Sequence, residues 1–545
     1  MANPRVRREI CGNSGAERIN LSPRSGLGIS HPQEDLMKKF VLASTLLALL
    51  FGLVGTTTAP ASEDKEAFFS ASIARENPND KIFSISDDVG INFSQLGNWP
   101  DKLCSSTKDP KCNFMAVDNR EENTISATPM LGLCEVAAND DCIESIEISN
   151  DATSFRNLTF ERYMPDGFSS PLDGKTFPSD YSKNLPRGAN ASIWVDKDDV
   201  SESPLKYIAY FSYGMNYSPA SGNFEVNDVN LAIRPFKEIN SFRWDALWEG
   251  GGKSGILFDF KPNSTFKVAV HVSNETAGWF KARLKDLSIE ITKLNSRNNR
   301  LVVAGTSVTV PNFGVARRAE GLASKEAELA QYFGYLKGVV SAAPGNERIF
   351  EYIEYWRPLL QDIAPKTNTF WTLNSTRWTS SNKCLRDSTR VLGVVSTNSM
   401  GYDGTAPKFV DGFLNYRVTG LHFGSDGVTP NLGTYDLVMR SDAARCLYGF
   451  SSAPVSATVT IAGADGAQSV ATTVVTEKNG WLKMKAAGFT FSEKQIKVKL
   501  TQDPNAVAPP STAAKKSTIT CVKGKLTKKV TAASPKCPTG YKKKA

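Results

Sequence analysis

The sequence predicts a mainly β, multi-domain protein, and three observations carry that prediction. Short runs of β-branched and aromatic residues recur along the chain. Clusters of Asn, Asp, Gly, Pro and Ser separate them, and helical periodicity is confined to one region. With 545 residues, the chain exceeds what a single hydrophobic core serves. Strands outnumber helices throughout, so sandwich-like sheets fit better than βαβ units.

The first element is an export signal. Residues 37–61 read MKKFVLASTLLALLFGLVGTTTAPA, with Lys38 and Lys39 as a positive start and an apolar run over 40–54. Ala59-Pro60-Ala61 before Ser62 is a small-x-small cleavage site. The 15-residue apolar run is short of the ~20 residues of a spanning helix, which favours cleavage over a transmembrane anchor with a cytoplasmic tail. Such a signal works at an amino terminus. Residues 1–36, rich in Arg and without hydrophobic period, therefore read as a mis-called upstream extension. The prediction is Sec-type export to an extracellular or cell-surface location, with no transmembrane span after cleavage.

Cysteine usage agrees. One of the nine cysteines, Cys11, lies upstream of the signal. The other eight fall into close pairs, Cys104 with Cys112, Cys134 with Cys142, Cys384 with Cys446 and Cys521 with Cys537. An even count in an exported chain predicts disulfides, and the short loops favour sequential pairing over the other connectivities. Free core thiols are the alternative. Cys-x-x-Cys is absent, and only His271 and His422 follow the signal, so no metal site is predicted.

The formal charge of +8 is unevenly distributed. Ten lysines and no acid follow Asp503, residues 1–39 carry a net +3, and residues 40–503 carry a net −5. A mildly acidic body with a basic tail argues against nucleic-acid binding, which wants basic surface on the folded body.

Residues 62–315 read as an N-terminal β-rich region with strand runs near 81–85, 191–195, 207–211, 231–233, 266–272, 287–291 and 301–303. A soft break near 160–190 leaves room for two subdomains. Residues 323–365 read as a helical hairpin, about 324–362. Ser324 is its N-cap, and Leu329, Tyr332, Phe333, Tyr335, Leu336 and Val339 form the first apolar face. Pro344-Gly345 breaks it, and a second run over 347–362 aligns Ile349, Phe350, Ile353, Trp356, Leu359 and Leu360. Packing of these aromatics onto a neighbouring sheet is favoured over a membrane or ligand face.

Residues 370–502 carry the strongest strand signal, with runs at 456–461, 469–476, 481–485 and 495–500. Asn479-Gly480 suits positive φ in a hairpin turn. The separation of Cys384 and Cys446 suggests an inter-sheet bridge. Trp378 precedes both, so an immunoglobulin-like sandwich is predicted rather than a true immunoglobulin domain. A Pro/Ala/Thr/Ser linker over 503–517 leads into a basic, disulfide-looped tail over 518–545.

That tail reads TITCVKGKLTKKVTAASPKCPTGYKKKA. Its Ile-Thr-Cys-Val-Lys-Gly-Lys and Pro-Lys-Cys-Pro-x-Gly-Tyr-Lys-Lys stretches resemble the terminal segment of uncharacterised secreted or cell-surface proteins of actinobacterial type. The stretches at 433–441 (GTYDLVMRS), 444–450 (ARCLYGF) and 480–483 (GWLK) resemble the domain preceding that tail. The resemblance covers about the last third of the chain after the signal. It implies an envelope setting and no chemistry.

Chemical motifs are weak. Gly250-Gly251-Gly252-Lys253-Ser254 imitates a phosphate loop, but Leu247 stands where the first Gly belongs. Asp196 and Asp198 alternate as calcium ligands do, without the sixth-position Gly or the twelfth-position Glu, so a solvated turn is preferred over a weak calcium site. His271 and His422 have no Gly-x-Ser-x-Gly partner and read as structural. Asp118, Glu121 and Glu122 give no spacing that sets a carboxylate pair. Trp244, Asp245, Trp248 and Glu249 form the candidate glycan surface, weighed against core packing of both Trp. No catalytic residue is assigned.

Lys515, Lys516, Lys523, Lys525, Lys528, Lys529, Lys536, Lys542, Lys543 and Lys544 are the candidate polyanion-binding residues, set against a solubilising end tag without a ligand. Their expected partners are phosphate-bearing wall polymers, anionic lipid headgroups or acidic extracellular glycans. The predicted function is a secreted or cell-surface non-enzymatic protein that binds envelope or extracellular material, held near the cell by this tail. The alternative is a secreted glycan-active hydrolase or carbohydrate-binding protein, and a structural or adhesion subunit ranks third.

Overall fold

The computed structural model describes residues 81–85, 94–98, 102–112, 125–134, 140–164, 176–200, 204–239, 247–248, 254–317, 339–342, 345, 348–358, 360–376, 382–387, 389–451, 455–463, 468–470, 472–491, 494–502, 517–524, 526–532 and 535–544. The signal segment, residues 324–338 of the expected hairpin and the 503–516 linker lie outside them.

The protein is mainly β, and its principal strands run in chain order as follows. They are β1 (Cys142–Ser149), β2 (Lys206–Ser218), β3 (Asn223–Ile239), β4 (Thr265–Ser273), β5 (Gly278–Lys293), β6 (Asn298–Asn312), β7 (Lys366–Ser375), β8 (Val391–Thr397), β9 (Phe413–Thr419), β10 (Leu432–Arg440), β11 (Ser456–Gly463), β12 (Trp481–Thr490), β13 (Lys494–Thr501), β14 (Ser517–Lys523), β15 (Leu526–Ala532) and β16 (Lys542–Lys543). Two α-helices are described, α1 (Ile349–Trp356) and α2 (Ser441–Tyr448).

Three layers of sheet enclose two cores. The middle layer runs β2, β3, β7, β5, β8, β10, β12, each hydrogen-bonded to the next. On one side lies the layer β1, β4, β6 with the second half of β5. On the other lies β9, β13, β11. Strand β5 serves two layers. Gly278 to Arg283 pair with β7 and β8, whereas Leu284 to Lys293 pair with β6. A register shift between Lys285 and Ser288, with Asp286 at φ 58°, marks the passage between the two.

The first core collects Ile143 and Ile146 of β1, Phe266 and Val268 of β4, Leu301 of β6, Phe211 of β2, Leu231 of β3 and Trp371 of β7. The second collects Leu437 and Met439 of β10, Leu482 and Met484 of β12, Leu414 of β9, Val459 of β11 and Val498 of β13. Strands β5, β8 and β10 feed both. Phe280, Val394 and Val438 face the first core, and Trp279, Val395 and Leu437 face the second. Every residue of β8 is consequently buried, which is why Val391-Leu392-Gly393-Val394-Val395 reads as continuous apolar sequence rather than as alternation. Leu392 is an extra residue at a register shift against β5, so Val391 and Val394 both reach the first core despite their odd spacing.

Several expectations are refined. Among the described residues no separation occurs near 160–190. The strands Thr159–Tyr163 and Ser192–Val195 pair directly across that stretch. Nor do 62–315 and 370–502 stand apart, because β5 pairs with β8, and residues 64–545 form one compact unit. Helix α1 occupies the second helical run and buries Ile349, Phe350, Tyr352, Ile353 and Trp356 against Phe313, Met400 and Leu421. It is shorter than its apolar pattern. Pro358 has no N–H to continue the ladder, and Gln361 and Asp362 take positive φ. Val339, assigned above to the first helical face, instead starts the strand Val339–Ala342, parallel to Lys81–Ile85.

The Cys384–Cys446 disulfide forms, but it does not join two strands of facing sheets. Cys446 lies on α2 and Cys384 on the 3-10 turn Lys383–Leu385. Helix α2 carries no strand-like period and closes on Gly449 at φ 67°, a C-terminal glycine visible in the sequence. Cys134–Cys142 and Cys521–Cys537 are also bonded. Cys104 is disulfide-bonded as well. The side chain of Cys112 lies outside the described residues. Asn479 and Gly480 take φ values of 53° and 78° between Thr472–Lys478 and β12, as the hairpin turn requires.

Gly393 sits at a close crossing within the middle layer. A Cβ there would lie 2.5 Å from Trp279 Cζ3 and 2.8 Å from the Val438 carbonyl oxygen. Gly393→Val should therefore destabilise the protein by about 3 kcal/mol, read as a lower denaturant midpoint, while Val410→Ala at an exposed site should move it by less than about 0.5 kcal/mol.

Asp436 of β10 is 5% exposed, and its Oδ2 has no hydrogen-bond partner. Burial pushes its carboxyl up to about 7, against the pull of Lys485. Asp141, also buried, is raised to about 7 for the same first reason. Below the unfolded value of about 4 both states are protonated and no penalty arises. As pH rises from about 4 to about 7 the unfolded state loses its proton while the buried group holds it, so stability is lost across that window and levels off once the folded state has ionised too. Asp436→Asn should match the parent at pH 4 and exceed it at pH 8, measured by denaturant unfolding across that range.

Candidate functional site: a lysine-bearing C-terminal sheet

The tail folds as a three-stranded antiparallel sheet in the order β15, β14, β16. The expected disulfide-looped tail thus carries a sheet that its sequence did not announce. Gly524, at φ 59°, lies in the turn between β14 and β15. So few residues bury little apolar surface, and the Cys521–Cys537 bond, spanning 16 residues, supplies about 3 kcal/mol by restricting the unfolded chain. Cys521 is fully buried at the centre of the sheet.

Register places the cations. Cys521 lies opposite Lys528 on one side and Lys543 on the other. Directly opposed residues share a face, so Lys528 and Lys543 flank Cys521 with their Cα atoms about 10 Å apart. Lys523, two residues along β14, belongs to the same face. Lys529 lies opposite Thr520 and Lys542 opposite Val522, on the other face. Lys523, Lys528, Lys529, Lys536, Lys542, Lys543 and Lys544 are all exposed. No acidic residue follows Asp503, and among the described residues no ion pair involves these lysines. Lys515, Lys516 and Lys525 lie outside the described residues.

The other candidates separate. Trp244, Asp245 and Glu249 lie outside the described residues, as do Asp118, Glu121 and Glu122. Trp248 belongs to the two-residue strand Leu247–Trp248, opposite Ser254. Ser254 itself opens the strand Ser254–Leu257, where a phosphate loop would open a helix. Among the described residues, a cleft of about 400 Å³ is lined by Ser126, Thr128, Asn216, Asn227 and Asp228, and Asp228 is its one carboxylate.

Asp196, the weak calcium candidate, has another partner. Arg156 Nε lies 3.0 Å from both Asp196 carboxylate oxygens. The Asp198 backbone N–H donates to the same carboxylate at 3.2 Å, and Lys261 Nζ lies 2.9 Å from Asp199. A guanidinium thus stands where a cation would have been recruited. His422 is structural, its ring donating from Nδ1 to the Phe491 carbonyl at 2.9 Å. His271 lies between Glu144 and the Cys134–Cys142 disulfide. The hydrogen bonds of Arg300 hold the Glu144 carboxyl below its usual range.

Compared with known families, curated proteins and solved structures, the chain has no match. Its own geometry therefore defines it as a layered β protein ending in a disulfide-pinned basic sheet.

Removing the guanidinium should strand a buried carboxylate. Arg156→Ala should cost about 2 kcal/mol, less than a fully buried pair because Arg156 is partly exposed. Added calcium should leave the wild-type Tm unchanged. Thermal unfolding with and without the ion measures both.

Proposed function

We propose that this is an exported, surface-associated binding protein whose C-terminal sheet holds anionic envelope polymers or acidic extracellular glycans. The observation that carries the reading is the set of seven exposed lysines on a disulfide-fixed scaffold with no acid in its sequence. Lysines on a rigid sheet lose less freedom on binding than lysines on an unordered tail. Their spacing along and across the strands matches a polymer that repeats its charge, rather than a compact anion in a closed pocket. The ammonium groups act as point charges, so the expected contact is electrostatic and salt-sensitive. The apolar segment at 40–54 and the small-x-small site at 59–61 support export. No described helix is long and apolar enough to cross a membrane.

The test uses the full chain and poly(glycerol phosphate) immobilised on a sensor. Binding should weaken steeply between low and physiological salt. The double variant Lys528→Glu/Lys543→Glu should weaken it by about tenfold or more, with unfolding unchanged. Binding insensitive to both salt and charge reversal would overturn the reading.

A further inference from the structure

A second constellation stands apart from the tail. Strand β1 begins at Cys142, which lies opposite His271 of β4. The Cys134–Cys142 disulfide brings both sulfurs to one side of that ring. His271 Nδ1 is 3.5 Å from Cys142 Sγ and 3.8 Å from Cys134 Sγ. On the other side of the ring, Nε2 is 3.2 Å from Glu144 Oε2. Glu144 is the unpaired residue at a register shift between β1 and β4, and Arg300 grips it through Nε at 2.6 Å and Nη2 at 2.8 Å. A carboxylate so held by a guanidinium is an acceptor only. The ring proton therefore sits on Nε2, and the Nδ1 lone pair faces the two sulfurs.

These are the parts of a metal site. One ligand atom from each of Cys134, Cys142 and His271 lies within 4.8 Å of the others. In a tetrahedral zinc site with Zn–S of about 2.3 Å and Zn–N of about 2.05 Å, sulfur and nitrogen donors stand about 3.6 Å apart. The two sulfur–nitrogen separations here, 3.5 and 3.8 Å, bracket that value. The imidazole is already placed, its far N–H already bound to a carboxylate as metal-ligating histidines require. Cys142 and His271 are buried, which fixes both donors.

The geometry points to a reduction-gated site for zinc or a similarly soft divalent metal, formed by Cys134, Cys142 and His271 with a fourth position open to water. A dithiol reductant opens it. The reductant's two thiols become its own disulfide, and the two cysteine sulfurs together accept two electrons and two protons. Metal binding then releases both thiol protons to solvent as two metal–sulfur bonds and one metal–nitrogen bond form. Glu144 is the positioning residue, holding the ring through Nε2. In the oxidised state the sulfurs are bonded to each other and the site is closed to metal.

The experiment uses the full chain, stripped of metal and held with or without a phosphine reductant, with cobalt(II) or zinc(II) chloride as the probe. Reduced protein should show a thiolate-to-cobalt charge-transfer band saturating at one equivalent. Zinc should displace cobalt and protect Cys134 and Cys142 from alkylation in peptide mass spectra, leaving Cys384, Cys446, Cys521 and Cys537 unprotected. Oxidised protein should bind neither metal. His271→Ala and Glu144→Gln, which keep the disulfide, should each weaken uptake by about tenfold or more after reduction. Uptake equal in His271→Ala, protection falling on other cysteines, or loss of the native circular dichroism on reduction before metal can bind would overturn the proposal.

Discussion

Burial of the middle sheet on both faces is the constraint on which the structure depends. Strands β5, β8 and β10 send side chains into both cores, and every residue of β8 is buried between them. Trp279 reaches across the backbone of Gly393 and donates its indole N–H to Leu385 at 3.2 Å, closing the second core. Arg283, fully buried, donates from Nη1 to the Thr397 carbonyl at 2.9 Å and also to Ser399, and lies over the Tyr402 ring. A buried guanidinium is tolerated because the chain after β8 presents carbonyls to it. The polar residues inside this sheet therefore fasten one layer to the next, and Asp436, whose Oδ2 lacks such a partner, bears the cost of burial as a raised pKa.

Much of the secondary structure was legible in the chain. Runs such as 266–272 and 495–500 fall inside strands, Asn479-Gly480 forms the turn its chemistry demands, and the Ile349, Phe350, Ile353, Trp356 stripe packs as a helix face. Pairing was less legible. Nothing local tells Gly278 to Ala282 that its parallel neighbour begins at Val391, because parallel contacts of this kind are closed by tertiary packing. Helix α2 escaped notice because Ser441-Asp442-Ala443-Ala444-Arg445 has too few apolar positions to show a period, though its terminal glycine was in view. The lysines of the tail were fully readable, while their division between two faces needed the register. The His271 cluster was not readable at all. Its members come from strands 129 residues apart in sequence, and neither histidine nor cysteine shows a metal-binding spacing.

Charge and covalent structure are partitioned along the molecule. The layered body carries its acids in local pairs with arginine and lysine, among them Arg156 with Asp196, Arg300 with Glu144, Arg417 with Asp403 and Arg445 with Glu477. The C-terminal sheet carries none. An acidic body repels anions that a basic end attracts, so the field of the chain differs in sign between the two. The two short-range disulfides also differ in surroundings. Cys521–Cys537 props a sheet too small to hold itself, whereas Cys134–Cys142 closes against the imidazole of His271 at the start of β1.

The sharing of β5 between layers has a consequence for biosynthesis. Its neighbour β8 emerges from the ribosome about a hundred residues later, and β10 and β12 later still. Until they arrive, the edge of β5 is an unfilled parallel slot, and Trp279 and Phe280 have no cover on that flank. Contacts so distant in sequence close slowly, and the unfinished edge is the kind of surface that nascent chains lose to aggregation. The middle layer is therefore completed only once β12 has been made.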